Sequence, residues 1–159
     1  MDKTSGDLLF DGKPATEYAN TISIDALDTS TILGCRAVKV LNIWMWVVHK
    51  LNDSVEACKG TVTRNYGVLD EAAVLWESGL LFEMAENLGP KFGHTAIDGM
   101  TVLNREIVDR LKKAQGIIKA SDNKCNSKQT HDLRIIVKET ISYMTAVLLQ
   151  SLLDDMLGE

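Results

Sequence analysis

Proline is nearly missing from this chain: Pro14 and Pro90 are the only two in 159 residues. With so few breakers, little prevents long helices. An excess of positive charge is missing as well, with 17 Lys and Arg against 22 Asp and Glu and a formal net charge of −5. That balance argues against nucleic acid as a partner, because phosphate binding needs a basic stripe. It argues equally against a polybasic helix lying on a membrane. The sequence holds no G-x-G-x-x-G or G-x-x-x-x-G-K phosphate loop and no G-x-S-x-G nucleophile elbow. It holds no E-x-x-H, two of which a di-iron bundle requires. The three cysteines, Cys35, Cys58 and Cys125, are too far apart for C-x-x-C chemistry. An odd count allows one disulfide with one free thiol, or three free thiols.

Long uncharged runs are also lacking. The two longest, residues 40–49 and 140–153, fall short of the roughly 20 residues that cross a bilayer, so no transmembrane segment is expected. The first seven residues, MDKTSGD, have neither a basic n-region nor an apolar h-region, as expected of a cytosolic or already processed chain. What remains is an ordinary globular composition, 45% hydrophobic and 25% charged, of a length suited to one domain with a real core.

The periodicity predicts an all-α protein: an antiparallel, up-down-up-down four-helix bundle over residues 29–159, preceded by an acidic N-terminal arm at 1–28. In the arm, Leu8-Leu9-Phe10 docks and Gly12-Lys13-Pro14 turns the chain. Asp28, Ser30 or Thr31 caps a first helix reaching about Cys58, striped by Leu33, Ala37, Leu41, Trp44, Val48, Leu51 and Val55. Lys59-Gly60 closes it with a left-handed glycine. A second helix spans about 69–88, with Ala73, Trp76, Leu80, Met84 and Leu88 inward and Gly79 at a close helix contact. A third, capped by Asp98, buries Met100, Leu103, Ile107, Leu111, Ala114 and Ile118. The fourth, capped by Thr130, runs to about Leu157 on a stripe of Leu133, Val137, Ile141, Met144, Leu148 and Leu152. A short strand at 61–63 is an optional addition.

Few residues suggest chemistry. Glu83-Met84-Ala85-Glu86 is an E-x-x-E pair one turn apart, the kind of carboxylate pair that holds a hard cation such as iron, against the plainer reading of a solvated face. Bundle topology brings His49, Asp70, Glu71 and His131 to one end, a second candidate metal set. Trp44 and Trp76 lie on core stripes, whereas Trp46 sits off the main face and marks a candidate interface. Asn52-Asp53-Ser54 matches a glycosylation sequon but falls inside a helix. With no complete catalytic constellation, a non-enzymatic protein is expected.

Four blocks carry a family resemblance: residues 49–58 (HKLNDSVEAC), 69–76 (LDEAAVLW), 81–88 (LFEMAENL) followed by Phe92-Gly93, and 102–108 (VLNREIV) with Asn104. In order and content they resemble the algal iron-assimilation family, also described as high-CO2-inducible periplasmic proteins. Leu69 stands where that family carries Trp, and the loop at 77–79 is compressed, as in a shortened, divergent member. The resemblance implies a helical binding or accessory protein, with iron as its possible cofactor. Two alternatives accompany it: a structural subunit docked on a larger assembly, such as a lumenal-side photosynthetic complex, and an iron- or other metal-binding protein.

Topology makes one sharper prediction. Cys58 ends the first helix and Cys125 lies in the loop between the third and fourth, so alternating helix direction puts both at the same end. Cys35 is about 34 Å from Cys58 along a helix at 1.5 Å per residue, far beyond disulfide reach. A Cys58–Cys125 disulfide with Cys35 free is expected. It implies an oxidising compartment, periplasmic, extracellular or thylakoid-lumenal, reached after loss of a targeting peptide.

Overall fold

The computed structural model describes residues 9–10, 13–14, 31–60, 67–77, 79–95, 99–121 and 124–157, with side chains from residue 38 onward except that of Met156. Among these residues five α-helices dominate: α1 (Thr31–Cys58), α2 (Val68–Glu77), α3 (Leu80–Leu88), α4 (Val102–Ala120) and α5 (Ser127–Leu157). A single 3-10 turn, Pro90–Phe92, follows α3. The described residues are all-α apart from a two-residue antiparallel ladder, β1 (Leu9–Phe10) with β2 (Lys13–Pro14), in which Leu9 faces Pro14, and an isolated bridge between Thr95 and Thr101. The chain divides into two compact units, residues 1–45 and 46–159. The first holds the ladder and the start of α1; the second holds the end of α1 and all later helices. The rest of the acidic arm, the caps Asp28 and Ser30, the strand expected at 61–63 and the cap Asp98 lie outside the described residues.

Within the second unit, α4 and α5 are the most closely packed pair. Leu103, Ile107, Leu111, Ala114 and Ile118 of α4 are buried as the periodicity requires, and so are Leu133, Val137, Ile141 and Met144 of α5. Arg110 fastens the two helices from outside the core. Its Nε donates to Glu139 at 3.1 Å, its Nη1 donates to Glu106, and its guanidinium carbon lies 4.3 Å from the Tyr143 ring centroid. Partial burial works against the charged guanidinium. The Glu106 hydrogen bond, the field of Tyr143 and Glu106, and the Glu139 contact outweigh that and raise its pKa.

Two helices replace the single one expected over 69–88. The break falls between Glu77 and Leu80, where Gly79 is extended (φ −116°, ψ 169°). A side chain at Gly79 would run into the Leu75 carbonyl, whose oxygen lies 2.6 Å from where a Cβ would stand. The break resets the helical phase, so Leu69, Ala72, Leu81 and Ala85 join Trp76, Met84 and Leu88 in the core, while Ala73 and Leu80 are only half-buried. The close approach expected at Gly79 occurs instead at Gly89, where any Cβ would collide with the Thr101 side chain. Gly60 takes the predicted left-handed conformation (φ 76°).

The start of α5 also differs from the expected Thr130 cap. Asn126 Oδ1 accepts from the Gln129 N–H at 2.9 Å, and Gln129 Oε1 accepts from the Asn126 N–H at 3.0 Å. This reciprocal pair satisfies two otherwise orphaned donors, so the cap moves from Thr130 to Asn126 and the helix begins four residues earlier.

The end of α5 departs further. Leu148 is half-buried and Leu152 is exposed, whereas Val147, Gln150 and Ser151 are buried. Two four-residue steps from Met144 carry a side chain about 80° round a 3.6-residue helix, which takes Leu152 off the core face. Finally, the expectation of no transmembrane segment is corrected. Ser127–Asp155, 29 residues, is long and apolar enough to cross a membrane, with 39% of its most apolar window buried. Counting uninterrupted uncharged runs missed it, because an 18-residue average tolerates two charged residues. The criterion is one of length and composition, which the core helix of a soluble protein also meets.

Candidate functional site

A buried polar network joins α2, α3 and α4. A buried tryptophan needs an acceptor for its N–H, and Trp76 Nε1 finds one in Asn104 Oδ1 at 3.2 Å. Asn104, fully buried, then donates through Nδ2 to the Phe82 carbonyl at 3.0 Å and to Glu86 Oε1 at 2.6 Å. Glu86 also accepts from Thr101, from its N–H at 3.2 Å and its hydroxyl at 3.1 Å. A half-buried carboxylate thus receives three donors from one short stretch of chain at the head of α4. Sequence patterning placed Asn104 only within a family block. The signal that points to it is its position beside Leu103 on the inward face, together with the unmet N–H of a core tryptophan.

This network separates the E-x-x-E pair. Glu86 turns inward to Thr101 and Asn104, while Glu83 is exposed in the first turn of α3. The second metal set is likewise spent on other contacts. His49 Nε2 is 3.3 Å from Asp53 on its own helix, Glu71 pairs with Lys50, and Asp70 accepts from Gln115 Nε2 at 2.9 Å. His131 is exposed on α5. Among the described residues, no group of three or more His, Cys, Asp or Glu is positioned to hold a metal ion. The donor sets predicted for iron therefore do not fit it, and Glu86 acts as a hydrogen-bond acceptor between helices.

Cys58 and Cys125 form the expected disulfide pair, their Cα atoms 5.1 Å apart. The Cys125 N–H donates to the Cys58 carbonyl at 2.8 Å, so the backbone holds the two segments together at the same point. Cys35 lies on α1 with its side chain outside the described residues. Asn52 and Ser54 of the sequon are helical, and the buried Ser54 hydroxyl donates to the Leu51 carbonyl at 2.7 Å.

Two surfaces stand out. Trp44 and Trp76 are buried, as predicted, while Trp46 is 53% exposed. It lines a shallow depression of about 410 Å³ with Gly67, Asp70, Glu71, Val74 and Leu75. The other surface is the end of α5, where the usual arrangement is reversed. Gln150 and Ser151 are buried, yet Leu149, Leu152, Leu153 and Leu157 are 56%, 57%, 46% and 80% exposed. These leucines recur at three- and four-residue steps, so they share one outward face.

Comparison with protein-family models, curated proteins and solved structures gives no match for this chain.

Proposed function

We propose that this chain is a non-enzymatic helical accessory protein that docks on a larger protein assembly through the outward leucines at the end of α5. The single observation that carries this reading is the reversed polarity of that segment, with polar Gln150 and Ser151 inward and four leucines outward. A continuous exposed apolar strip of this kind marks an interaction site. Burying it is worth about 4–7 kcal/mol at the usual value per leucine. That is comparable to the cost of association, so the strip serves as the anchor of a wider contact.

The scaffold we propose for it is the antiparallel up-down-up-down bundle, with α2 and α3 together filling the second position and residues 1–28 as its arm. Support comes from paired contacts: Asp70 meets Gln115 while Trp76 meets Asn104, so α2 and α4 run in opposite directions. The Cys58–Cys125 pair supports an oxidising compartment, periplasmic, extracellular or lumenal. Kinship with the algal iron-assimilation family belongs to the same proposal. Trp76, Glu86 and Asn104 all fall in the blocks that carry the resemblance, and all three serve the scaffold. What the resemblance supports is a shared helical frame rather than an iron site.

The test is native gel migration of the protein from its source, beside a Leu149→Ser/Leu152→Ser/Leu153→Ser variant. The expected result is that wild type runs with a larger assembly and the variant runs free, with an unchanged unfolding midpoint. Wild type running alone, or the variant still bound, overturns the reading.

A further inference from the structure

The depression beside Trp46 lies on α1 and α2, elements distinct from the leucine strip. We infer that it receives a lysine or arginine side chain presented by an apolar segment of a partner protein. Its wall and floor are apolar: the indole of Trp46, with Val74 at 61% exposure and the half-buried Leu75. Asp70 and Glu71, in the first turn of α2, are the acidic residues that border it. An open apolar depression bordered by acidic residues complements a side chain with a hydrocarbon stem and a cationic head. The face of an exposed tryptophan adds cation–π attraction for that head.

The protein itself displays the recognition. Lys50 Nζ sits 5.3 Å from the Trp46 ring centroid and pairs with Glu71, so this indole and this carboxylate already hold one ammonium. Among the described residues at the depression, Asp70 and Glu71 against Lys50 leave one negative charge. Asp70 is exposed, and among the described residues its hydrogen-bond partner is Gln115, a neutral donor to Oδ1. The incoming cation is thus matched to Asp70, with its stem over Trp46 and Val74. A guanidinium fits best, since it stacks on an aromatic face and forks onto a carboxylate together.

The full-length protein is to be titrated with a peptide of alternating leucine and arginine, and with the same peptide carrying neutral citrulline for arginine. Acrylamide quenching reads Trp46, because Trp44 and Trp76 are buried. The arginine peptide is expected to shield Trp46, at least tenfold more tightly than the citrulline peptide, and more weakly as salt is raised. Asp70→Asn is expected to weaken it three- to tenfold, and Trp46→Ala, followed by calorimetry, to abolish it, with thermal midpoints unchanged. Equal binding of both peptides, no shielding by either, or full affinity in Asp70→Asn overturns the inference. None of these outcomes bears on the α5 leucines, so this proposal and the docking reading fail separately.

Discussion

Replacing Asn104 by alanine removes the centre of the only buried side-chain network that spans three helices among the described residues. Three groups lose a partner at once: the Trp76 N–H, the Phe82 carbonyl and Glu86 Oε1. The indole N–H sits on a fully buried residue, so leaving it unmet costs about 1–3 kcal/mol. The bond to the carboxylate is charge-assisted and contributes about 1.5–3 kcal/mol. Phe82 is half-buried, and water can reach its carbonyl at little cost. The expected loss is about 3–5 kcal/mol, a large part of the roughly 5–15 kcal/mol that holds a typical domain folded. Urea denaturation followed by circular dichroism measures it, as a lower midpoint with an unchanged slope. A cycle with Trp76→Phe isolates the pair and should give a coupling of about 1–2 kcal/mol. A loss below about 1 kcal/mol for Asn104→Ala, or a coupling near zero, would refute this reasoning.

Other outcomes follow from single contacts. The Cys58–Cys125 pair closes a loop with a sequence separation of 67, worth about 4.4 kcal/mol in the chain-entropy estimate. Reduction, or Cys58→Ser/Cys125→Ser, should lower the thermal midpoint markedly, and non-reducing peptide mapping should recover the two cysteines linked. Gly89→Ala should cost about 1–3 kcal/mol by overpacking against Thr101, and Thr101→Ser should recover part of it in the double variant. Arg110→Ala should lose about 1–2 kcal/mol by chemical denaturation, because it removes both the α4–α5 ion pair and the packing on Tyr143. Equal stability of that variant would mean that Arg110 is a solvated surface residue.

The helical frame was legible because its signals are local and repeated. The α4 stripe from Leu103 to Ile118 and the early α5 stripe from Leu133 to Met144 are buried where a 3.6-residue period places them. The disulfide pair was legible too, since Cys58 at the end of one predicted helix and Cys125 in the loop before another could be matched without reference to side-chain packing. Errors arose where a small local event shifts phase. One extended residue at Gly79 split a predicted helix, and stepping by four along α5 drifted off the core face by Leu152. Candidate sites were harder to read. An E-x-x-E spacing is the same whether both carboxylates face solvent or one is captured, and only the arrival of Thr101 and Asn104 decides it for Glu86. The outward leucines were hidden in a run that read as core, because hydrophobicity alone does not say which side of a helix faces the protein.

The docking role rests on the end of α5, and site-specific photo-crosslinking there tests it most directly. A photoreactive residue at Leu152, introduced into the full-length protein in its native cells, should yield one discrete adduct with a subunit of a larger assembly. The same probe at exposed Lys112 on α4 should yield none. If Leu152 gives no adduct, or only the diffuse labelling that Lys112 gives, the leucine face has no partner and the proposed role is wrong.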